Sequence, residues 1–333
     1  MISQDDGSFR VLVTGGSGFI GTNLVEHFVA KGTQVINLDV VPPRNPEHNY
    51  CWKQVDLLDG EMLAKTIHDF QPNFILHMGA RTDLDGKSVA DYLANTDGVR
   101  NLIDAIEGVS SLQRIIFASS RLVCRIGYQP TSDQDYCPTT PYGESKVLGE
   151  QIVRDAAHRI PCPWVIVRPT SIWGPWFDVP YKTFFLSIAK GRYVHPGHAE
   201  ILKSFGFVGN TVYELQRLLE AEAESVNEKI MYLADYPPID VAKMANSIQH
   251  ELGVTPIRTM SVAVLRGAAW LGDVLKLFGW RHPPLTSFRL NNLLTPMVHD
   301  LEPLREIVGE LPCSMKEGVR ITSGWMKSHG DIS

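Results

Sequence analysis

Arg10-Val11-Leu12-Val13-Thr14-Gly15-Gly16-Ser17-Gly18-Phe19-Ile20-Gly21 is the stretch that decides the fold. Its first five residues are an apolar run rich in β-branched side chains, which predicts a buried strand entering a glycine turn. Ile20, Leu24, Phe28 and Val29 then share one helical face as far as Gly32, and Gln34 to Asp39 reads as a second strand that ends on an acid. The sequence thus opens with a βαβ unit.

The three spaced glycines have separable tasks. Gly15 suits a tight turn, Gly18 leaves room for a pyrophosphate, and Gly21 lets the helix pack close to the strand. The free N–H groups and positive dipole end of the helix then face the phosphates. Asp39 can accept hydrogen bonds from the adenosine ribose hydroxyls and would repel a 2′-phosphate. No arginine follows it immediately, and Arg44 is separated from it by two prolines. NAD rather than NADP is therefore the expected cofactor.

The chain has 333 residues, 44% of them hydrophobic, enough for a sizeable core in one large and one smaller domain. Its net charge of −6 comes without any basic run, which argues against nucleic acid as a partner. Cys51, Cys124, Cys137, Cys162 and Cys313 show no paired spacing, so neither a disulfide framework nor a zinc site is expected, and a reducing cytoplasm fits best. The acidic N-terminus, Met1 to Asp6, does not read as a signal or transit peptide. The longest apolar segment, Met260 to Trp280, carries Arg266, Asp273 and Lys276, which predicts an amphipathic helix packed on the body rather than a membrane span; a peripheral membrane contact is the lesser alternative.

Strands and helices alternate along the chain. A short strand reaches Val55 and Asp56, and Asp56-Leu57-Leu58-Asp59 begins a helix, with Asp56 either meeting the adenine amino group or simply capping that helix. Phe74 to Met78 is a buried strand opening into Gly79-Ala80-Arg81-Thr82-Asp83. A long helix from about Val89 through Asn95 to about Ile106 follows, then a strand from Arg114 to Ala118 ending on Ser119-Ser120. Thr139 to Lys146 starts a helix running to about His158, and Pro163 to Arg168 is a sixth strand closed by Pro169. This alternation predicts a doubly wound parallel α/β sheet of the Rossmann type. Residues 1–170 are expected to bind the dinucleotide, with the sheet completed by about 204–235. Residues 171–333 should mainly form a smaller, discontinuous substrate domain, with the substrate in the cleft between the two.

Tyr142 and Lys146 lie four residues apart near a helix start and so share a face. A free tyrosine has a pKa of about 10, and a neighbouring ammonium lowers it toward the working range of a general base. The phenol can then exchange a proton with a substrate hydroxyl while hydride moves to or from nicotinamide. Ser120 can hydrogen-bond the same oxygen. His77, at the end of a buried strand, reads as a hydrogen-bonded core histidine, and His195 and His198 have no metal-ligand spacing around them, so no metal is assigned.

With Thr14 to Gly21, Tyr142 to Lys146 and Arg168-Pro169-Thr170-Ser171-Ile172-Trp173-Gly174-Pro175 in place, the chain resembles the extended short-chain dehydrogenase/reductases. Within them it is similar to the NAD-dependent epimerase/dehydratase family, from Arg10 to about Trp325. That resemblance implies Ser120, Tyr142 and Lys146 as the catalytic set. It implies a cofactor surface of Gly15, Gly18, Phe19, Ile20, Gly21 and Asp39, continued by Asp56, Leu57, Met78, Gly79, Ala80 and Asn95, and closed by Tyr142, Lys146 and Pro169. It also implies a homodimer through the helices near Val89–Ile106 and Tyr142–His158.

Departures from the family pattern bear on the substrate. Arg121-Leu122 stand where sugar dehydratases carry an Asp-Glu pair, which disfavours 4,6-dehydration. Cys124 replaces a usual tyrosine, Ser171 an asparagine that touches substrate phosphates, and Lys203 stands roughly where an arginine binds the diphosphate. Lys203 reads either as a phosphate ligand or as a solvated strand-end lysine, and Thr82 and Asp83 either as contacts to a sugar hydroxyl or as structural residues. The expected activity is a nucleotide-sugar epimerase or oxidoreductase working through a transient keto-sugar. The apolar helix near Val262 to Phe278, with Pro283-Pro284-Leu285-Thr286, keeps a hydroxysteroid-dehydrogenase-like enzyme or another small-alcohol dehydrogenase as the alternative, and a non-catalytic dinucleotide sensor as a third.

Overall fold

The computed structural model describes residues 9–280 and 285–332, so the acidic N-terminus and the Pro283-Pro284 step lie outside the described residues. The chain runs β1 (Arg10–Thr14), α1 (Phe19–Ala30), β2 (Gln34–Asp39), β3 (Trp52–Gln54), α2 (Gly60–Phe70), β4 (Phe74–His77), α3 (Asp97–Ala105), β5 (Arg114–Ala118), α4 (Pro141–Asp155) and β6 (Trp164–Pro169). It continues with β7 (Ser171–Trp173), α5 (Tyr181–Ala189), β8 (Val194–Pro196), β9 (Leu202–Lys203), β10 (Phe205–Phe207), α6 (Val208–Glu220), α7 (Ala223–Val226), β11 (Lys229–Leu233) and β12 (Ile239–Asp240). Last come α8 (Val241–Leu252), β13 (Arg258–Met260), α9 (Val262–Leu277), α10 (Ser287–Leu294), α11 (Glu302–Val308) and α12 (Met315–Ser328).

Seven strands form one parallel sheet in the order β11-β6-β5-β4-β1-β2-β3. The order reverses between β1 and β4, and such a switch point leaves a crevice at the carboxyl ends of the strands. Because successive strand residues face opposite ways, the apolar strands supply two separate cores. Val11, Val13, Leu76, Ile116, Val165 and Val167 pack with Leu24 and Phe28 of α1 and Leu215 of α6. Leu12, Ile75, Ile115, Phe117 and Ile166 pack on the other face with Leu63 of α2 and Ile103 of α3. Both faces are therefore covered, as the unbroken apolar runs require.

β11 joins β6 as expected, and α6 and α11 also return to the sheet through Val212, Leu304 and Val308. A third core, built on Trp173, Phe177, Phe185, Phe207, Met244 and Val319, gathers the remaining C-terminal elements. Trp173 is its largest fully buried side chain.

Three expectations need correction. The single helix from Val89 to Ile106 is broken: a 3-10 segment, Val89–Asn95, precedes α3, and Tyr92 has the non-helical angles φ −119°, ψ 39°. The Tyr92 hydroxyl donates to the Asp83 carbonyl at 2.9 Å and accepts from the Gly86 N–H at 3.1 Å, which turns this segment toward the loop after β4. The helix expected from Asp56 starts at Gly60, because Asp59 is its N-cap and accepts from the Met62 N–H at 3.0 Å. The amphipathic helix α9 does form, but it buries only Leu265, Ala269 and Gly272, two of them in a small cluster with Leu290 of α10. Trp270, Leu271, Leu275 and Leu277 remain exposed. Among the described residues no helix is long and apolar enough to cross a membrane.

Two buried carboxyls stand out in the α6 layer. Asp235 accepts from the Phe207 N–H and the Asn210 side-chain amide, and burial raises its pKa to about 7. Glu214 is fully buried with neither oxygen bonded, and burial followed by the Asp235 charge holds it well above the carboxylate range. Raised folded-state values mean that the native protein binds these protons more tightly than the unfolded chain. The stability they contribute is complete below the ordinary carboxylate range and is lost as pH rises through the folded values. Glu214→Gln should therefore gain stability relative to the wild type as pH rises from 5 to 8, read from urea midpoints; parallel pH curves for the two proteins would refute the assignment.

Candidate functional site

The site forms where β1, β4, β5 and β6 end. Gly15 has φ +68°, and a Cβ there would lie 2.6 Å from the Gly79 backbone, so the turns after β1 and β4 touch directly. Thr14 joins them: its hydroxyl accepts from the Gly79 N–H at 3.1 Å and pairs with His77 Nδ1 at 2.8 Å. Burial holds His77 down to about pKa 3, so it is the neutral core histidine that the sequence suggested. Gly18 begins α1 without any side-chain cap, leaving the first-turn N–H groups of Phe19, Ile20 and Gly21 without intrahelical acceptors. That arrangement fits a dinucleotide pyrophosphate.

Asp39 lies beside this turn. Its carboxylate accepts from the Ser17 N–H at 3.1 Å and the Val41 N–H at 3.2 Å, while burial raises its pKa. Arg44 does reach the same corner, donating to the Ser17 carbonyl, but it is committed to the Trp176 carbonyl at 2.7 Å and the Asp178 carboxylate at 2.7 Å. The guanidinium thus straps the turn to the loop after β7 and is not free to bind a 2′-phosphate.

Around this frame, Asp56 is exposed and accepts from the Leu58 N–H at 2.9 Å, while Leu57 is buried against Gly79 and Gly98. Met78 and Ala80 are half-buried, and Pro169 pairs with Leu233 where β6 ends. Asn95 is fully enclosed and spends its side chain on the Arg81 backbone and the Ser145 hydroxyl, tying the post-β4 loop to α4. Thr82 and Asp83 are exposed, and Asp83 is paired with the Arg81 guanidinium at 2.8 Å.

Thr140 caps α4 by accepting from the Gly143 N–H, with Pro141 in the first turn, and this start places Tyr142 and Lys146 on the buried face. Burial raises the Tyr142 phenol, opposed by the nearby Ser120 hydroxyl and by the charge of Arg121. Ser120 sits at the end of β5, its hydroxyl also accepting from the Leu122 N–H at 3.1 Å. Lys146 is buried too, lowered to about pKa 8 by burial, and donates to the Ala118 carbonyl at 2.9 Å. The sequence led us to expect the lysine charge to act on the phenol and lower its pKa. In this structure the cation bearing on Tyr142 is Arg121, and desolvation outweighs it.

Lys203 is not a solvated strand-end lysine. It is buried and donates to the Asn292 and Thr295 carbonyls at 2.7 and 3.1 Å, leaving one of its three hydrogens for a ligand. Burial, then the Arg121 charge, lowers it to about pKa 8. Ser171 is enclosed on β7 next to the Tyr181 phenol. His299, stacked on Tyr232 at 4.2 Å, is lowered to about pKa 4 by burial and by Arg121 and Arg168. Arg121, Tyr181 and His299 were not assigned from sequence: only Arg121 adjoined a motif, and the others converge on it through the fold. Among the described residues, no three His, Cys, Asp or Glu side chains gather closely enough to hold a metal.

Residues 11–222 match the model of the NAD dependent epimerase/dehydratase family. The chain is 28% identical over 218 residues to a 3-beta-hydroxysteroid dehydrogenase of Mycolicibacterium neoaurum, covering 61% of this chain but only 59% of that protein. It is 27% identical over 248 residues to the N-acetyl-alpha-D-glucosaminyl-diphospho-ditrans,octacis-undecaprenol 4-epimerase of Escherichia coli O157:H7, covering 73% and 72% of the two chains. In fold it is similar to the UDP-glucose 4-epimerase of Thermotoga maritima, with a TM-score of 0.74 at 18% identity, covering 96% of this chain and 99% of that one. With its doubly wound sheet, its glycine turn and its Ser120, Tyr142 and Lys146 set, the chain belongs to the NAD dependent epimerase/dehydratase family, enzymes of the extended short-chain dehydrogenase/reductase type.

Proposed function

We propose that the protein is an NAD-dependent nucleotide-sugar epimerase or oxidoreductase that works through a transient keto-sugar. The observation that carries this is the placing of the buried Tyr142 and Lys146 side chains, one turn apart on α4, with Ser120 at the carboxyl edge of the sheet, next to the glycine turn. The first turn of α1 would hold the pyrophosphate and Asp39 the adenosine ribose. NAD, when bound, supplies a hydride acceptor at the substrate carbinol carbon and the matching donor for return. Tyr142 exchanges the hydroxyl proton, and Ser120 orients the reacting oxygen. The buried phenol is protonated as it stands, ready to donate in the reducing direction. Accepting a proton needs added positive charge nearby, such as an oxidised nicotinamide carries. Lys146, fixed on Ala118, buttresses the end of β5 that presents Ser120.

A hydroxysteroid or other small-alcohol dehydrogenase is the second reading. What favours it is the exposed apolar face of α9, with Trp270, Leu271 and Leu275, which suits an oily substrate. The two readings separate on incubation with NAD: an epimerase inverts a sugar carbon without net NADH, whereas a dehydrogenase accumulates NADH in step with product.

We also propose a homodimer through the faces of Val89–Asn95 and α4, where Leu93 and Leu148 are large apolar side chains left exposed on adjoining elements. Light scattering should give a dimer mass at micromolar concentration, and Leu148→Glu should give a monomer; a monomeric wild type would contradict the interface.

Tyr142→Phe should cut turnover by about a hundred- to ten-thousand-fold, the usual contribution of a general acid or base. NAD affinity should stay intact, because the glycine turn is untouched; full activity in this variant would end the proposal. For cofactor choice, NADH should bind more tightly than NADPH in a fluorescence titration. Asp39→Ala should narrow that gap by about tenfold, the scale of one hydrogen bond to a charged group. Equal binding of the two by the wild type would remove Asp39 from this role.

A further inference from the structure

We propose that α9 docks on the surface of an anionic lipid bilayer, with Val264, Leu271, Leu275 and Phe278 entering the acyl boundary and Arg266 and Lys276 meeting the headgroups. The four apolar residues recur at intervals of seven, four and three, so a single stripe of the helix carries them all. Trp270 and Leu277, seven residues apart, flank that stripe. The seam that packs on α10 is a different one, formed by Leu265 and Ala269 with Leu290. Phe278 is 84% exposed and Trp270 62%, and half of the large apolar side chains left exposed among the described residues lie between Met260 and Phe288. A surface that meets only water scatters such side chains singly, and their gathering on one face marks a contact.

Charge decides between the occupants of that face. Inside a chain of net charge −6, the segment from Gly253 to His299 holds five bases, Arg258, Arg266, Lys276, Arg281 and Arg289, and one acid, Asp273. That acid is turned inward: both its oxygens accept from the Ser287 N–H at 3.3 Å, at the start of α10. Arg266 and Lys276 are exposed and have no ion pair among the described residues. A second copy packed on the same face would bring these like charges together, whereas anionic headgroups supply the counter-charge directly beside an apolar layer. Long basic side chains reach past an apolar face to such headgroups, and tryptophan settles at that boundary. An apolar stripe with a basic flank is what a helix lying in the interface needs, and it need not be long enough to span. Docking in this way sets one wall of the cleft near the lipid, since α10 packs on α9 and the Asn292 and Thr295 carbonyls hold Lys203. It is independent of the substrate that the cleft takes.

The test is flotation of the full-length protein with large unilamellar vesicles, about one-third phosphatidylglycerol in phosphatidylcholine, against vesicles of phosphatidylcholine alone. The wild type should bind the anionic vesicles roughly tenfold more tightly than the neutral ones, the scale of two basic side chains at a charged surface, and that preference should fall as salt is added. Replacing both Leu271→Glu and Leu275→Glu should abolish flotation while NAD affinity is kept. Replacing both Arg266→Gln and Lys276→Gln should leave weak binding that no longer distinguishes the two kinds of vesicle. The lipid comparison and the salt series use the wild type, so the proposal stays testable if a variant does not fold. A wild type that floats with neither vesicle, or equally with both, overturns the docking, as does full lipid binding by the Leu271 and Leu275 double variant. A fall in the mass of the lipid-free protein on Leu271→Glu, read by light scattering, also overturns it, because the face then belongs to a second copy of the chain.

Discussion

The structure depends on how closely α1 can approach the end of β1. A Cβ on Gly21 would sit 2.1 Å from the Gly15 carbonyl oxygen, and one on Gly15 would meet the Gly79 backbone at 2.6 Å. No side chain could be accommodated at either point without moving backbone. Because they are glycines, the helix start, the end of β1 and the turn after β4 lie against one another, and Thr14 bonds the last two together. The uncapped N–H groups of α1 therefore point into the crevice at the switch point rather than into a loop of their own, and Asp39 arrives beside them at the end of the adjacent strand.

The other half of the site is governed by charge held in a confined space. Burial lowers Lys146, Lys203 and His299 and raises Tyr142, Tyr181 and Tyr232. All of these shifts favour neutral side chains, which is the condition in which a newly introduced charge is felt most strongly. A positive ring or an anionic substrate entering such a site changes the protonation balance more than it would on an exposed surface.

The sheet was legible because its strands are apolar without interruption and are separated by glycine or proline punctuation. Asp39, Ser120, Tyr142 and Lys146 were legible because their chemistry is tied to local spacing. The break at Tyr92 was not, since it is caused by a phenol bonding to Asp83 and Gly86 across a loop that no helical periodicity records. The burial of Lys203 was equally hidden: its acceptors are backbone carbonyls about ninety residues away, and a carbonyl has no sequence signature. Arg121 could be read as a replacement for an acid, but its bearing on Tyr181, Lys203 and His299 exists only once β9, α5 and the segment at His299 are folded together.

Glu150 shows how the two halves are kept in register. It lies one turn beyond Lys146 on α4 and accepts from Nε and Nη2 of Arg168 on β6, with both side chains almost completely buried. Such a pair contributes little net stability, since the desolvation of two ions offsets their attraction. Its geometric demand is strict, however, because only one placement of α4 against β6 satisfies two parallel hydrogen bonds, and loss of Glu150 leaves Arg168 without a counter-ion, whereas Glu150 also holds Arg154 at 3.1 Å. Tyr136 and Tyr232 lie beneath the Arg168 guanidinium and restrict it further. The helix carrying Tyr142 is thereby fixed to the strand that leads to Ser171, and the proton-transfer group keeps its place relative to the cleft wall through an interaction whose value is positional rather than energetic.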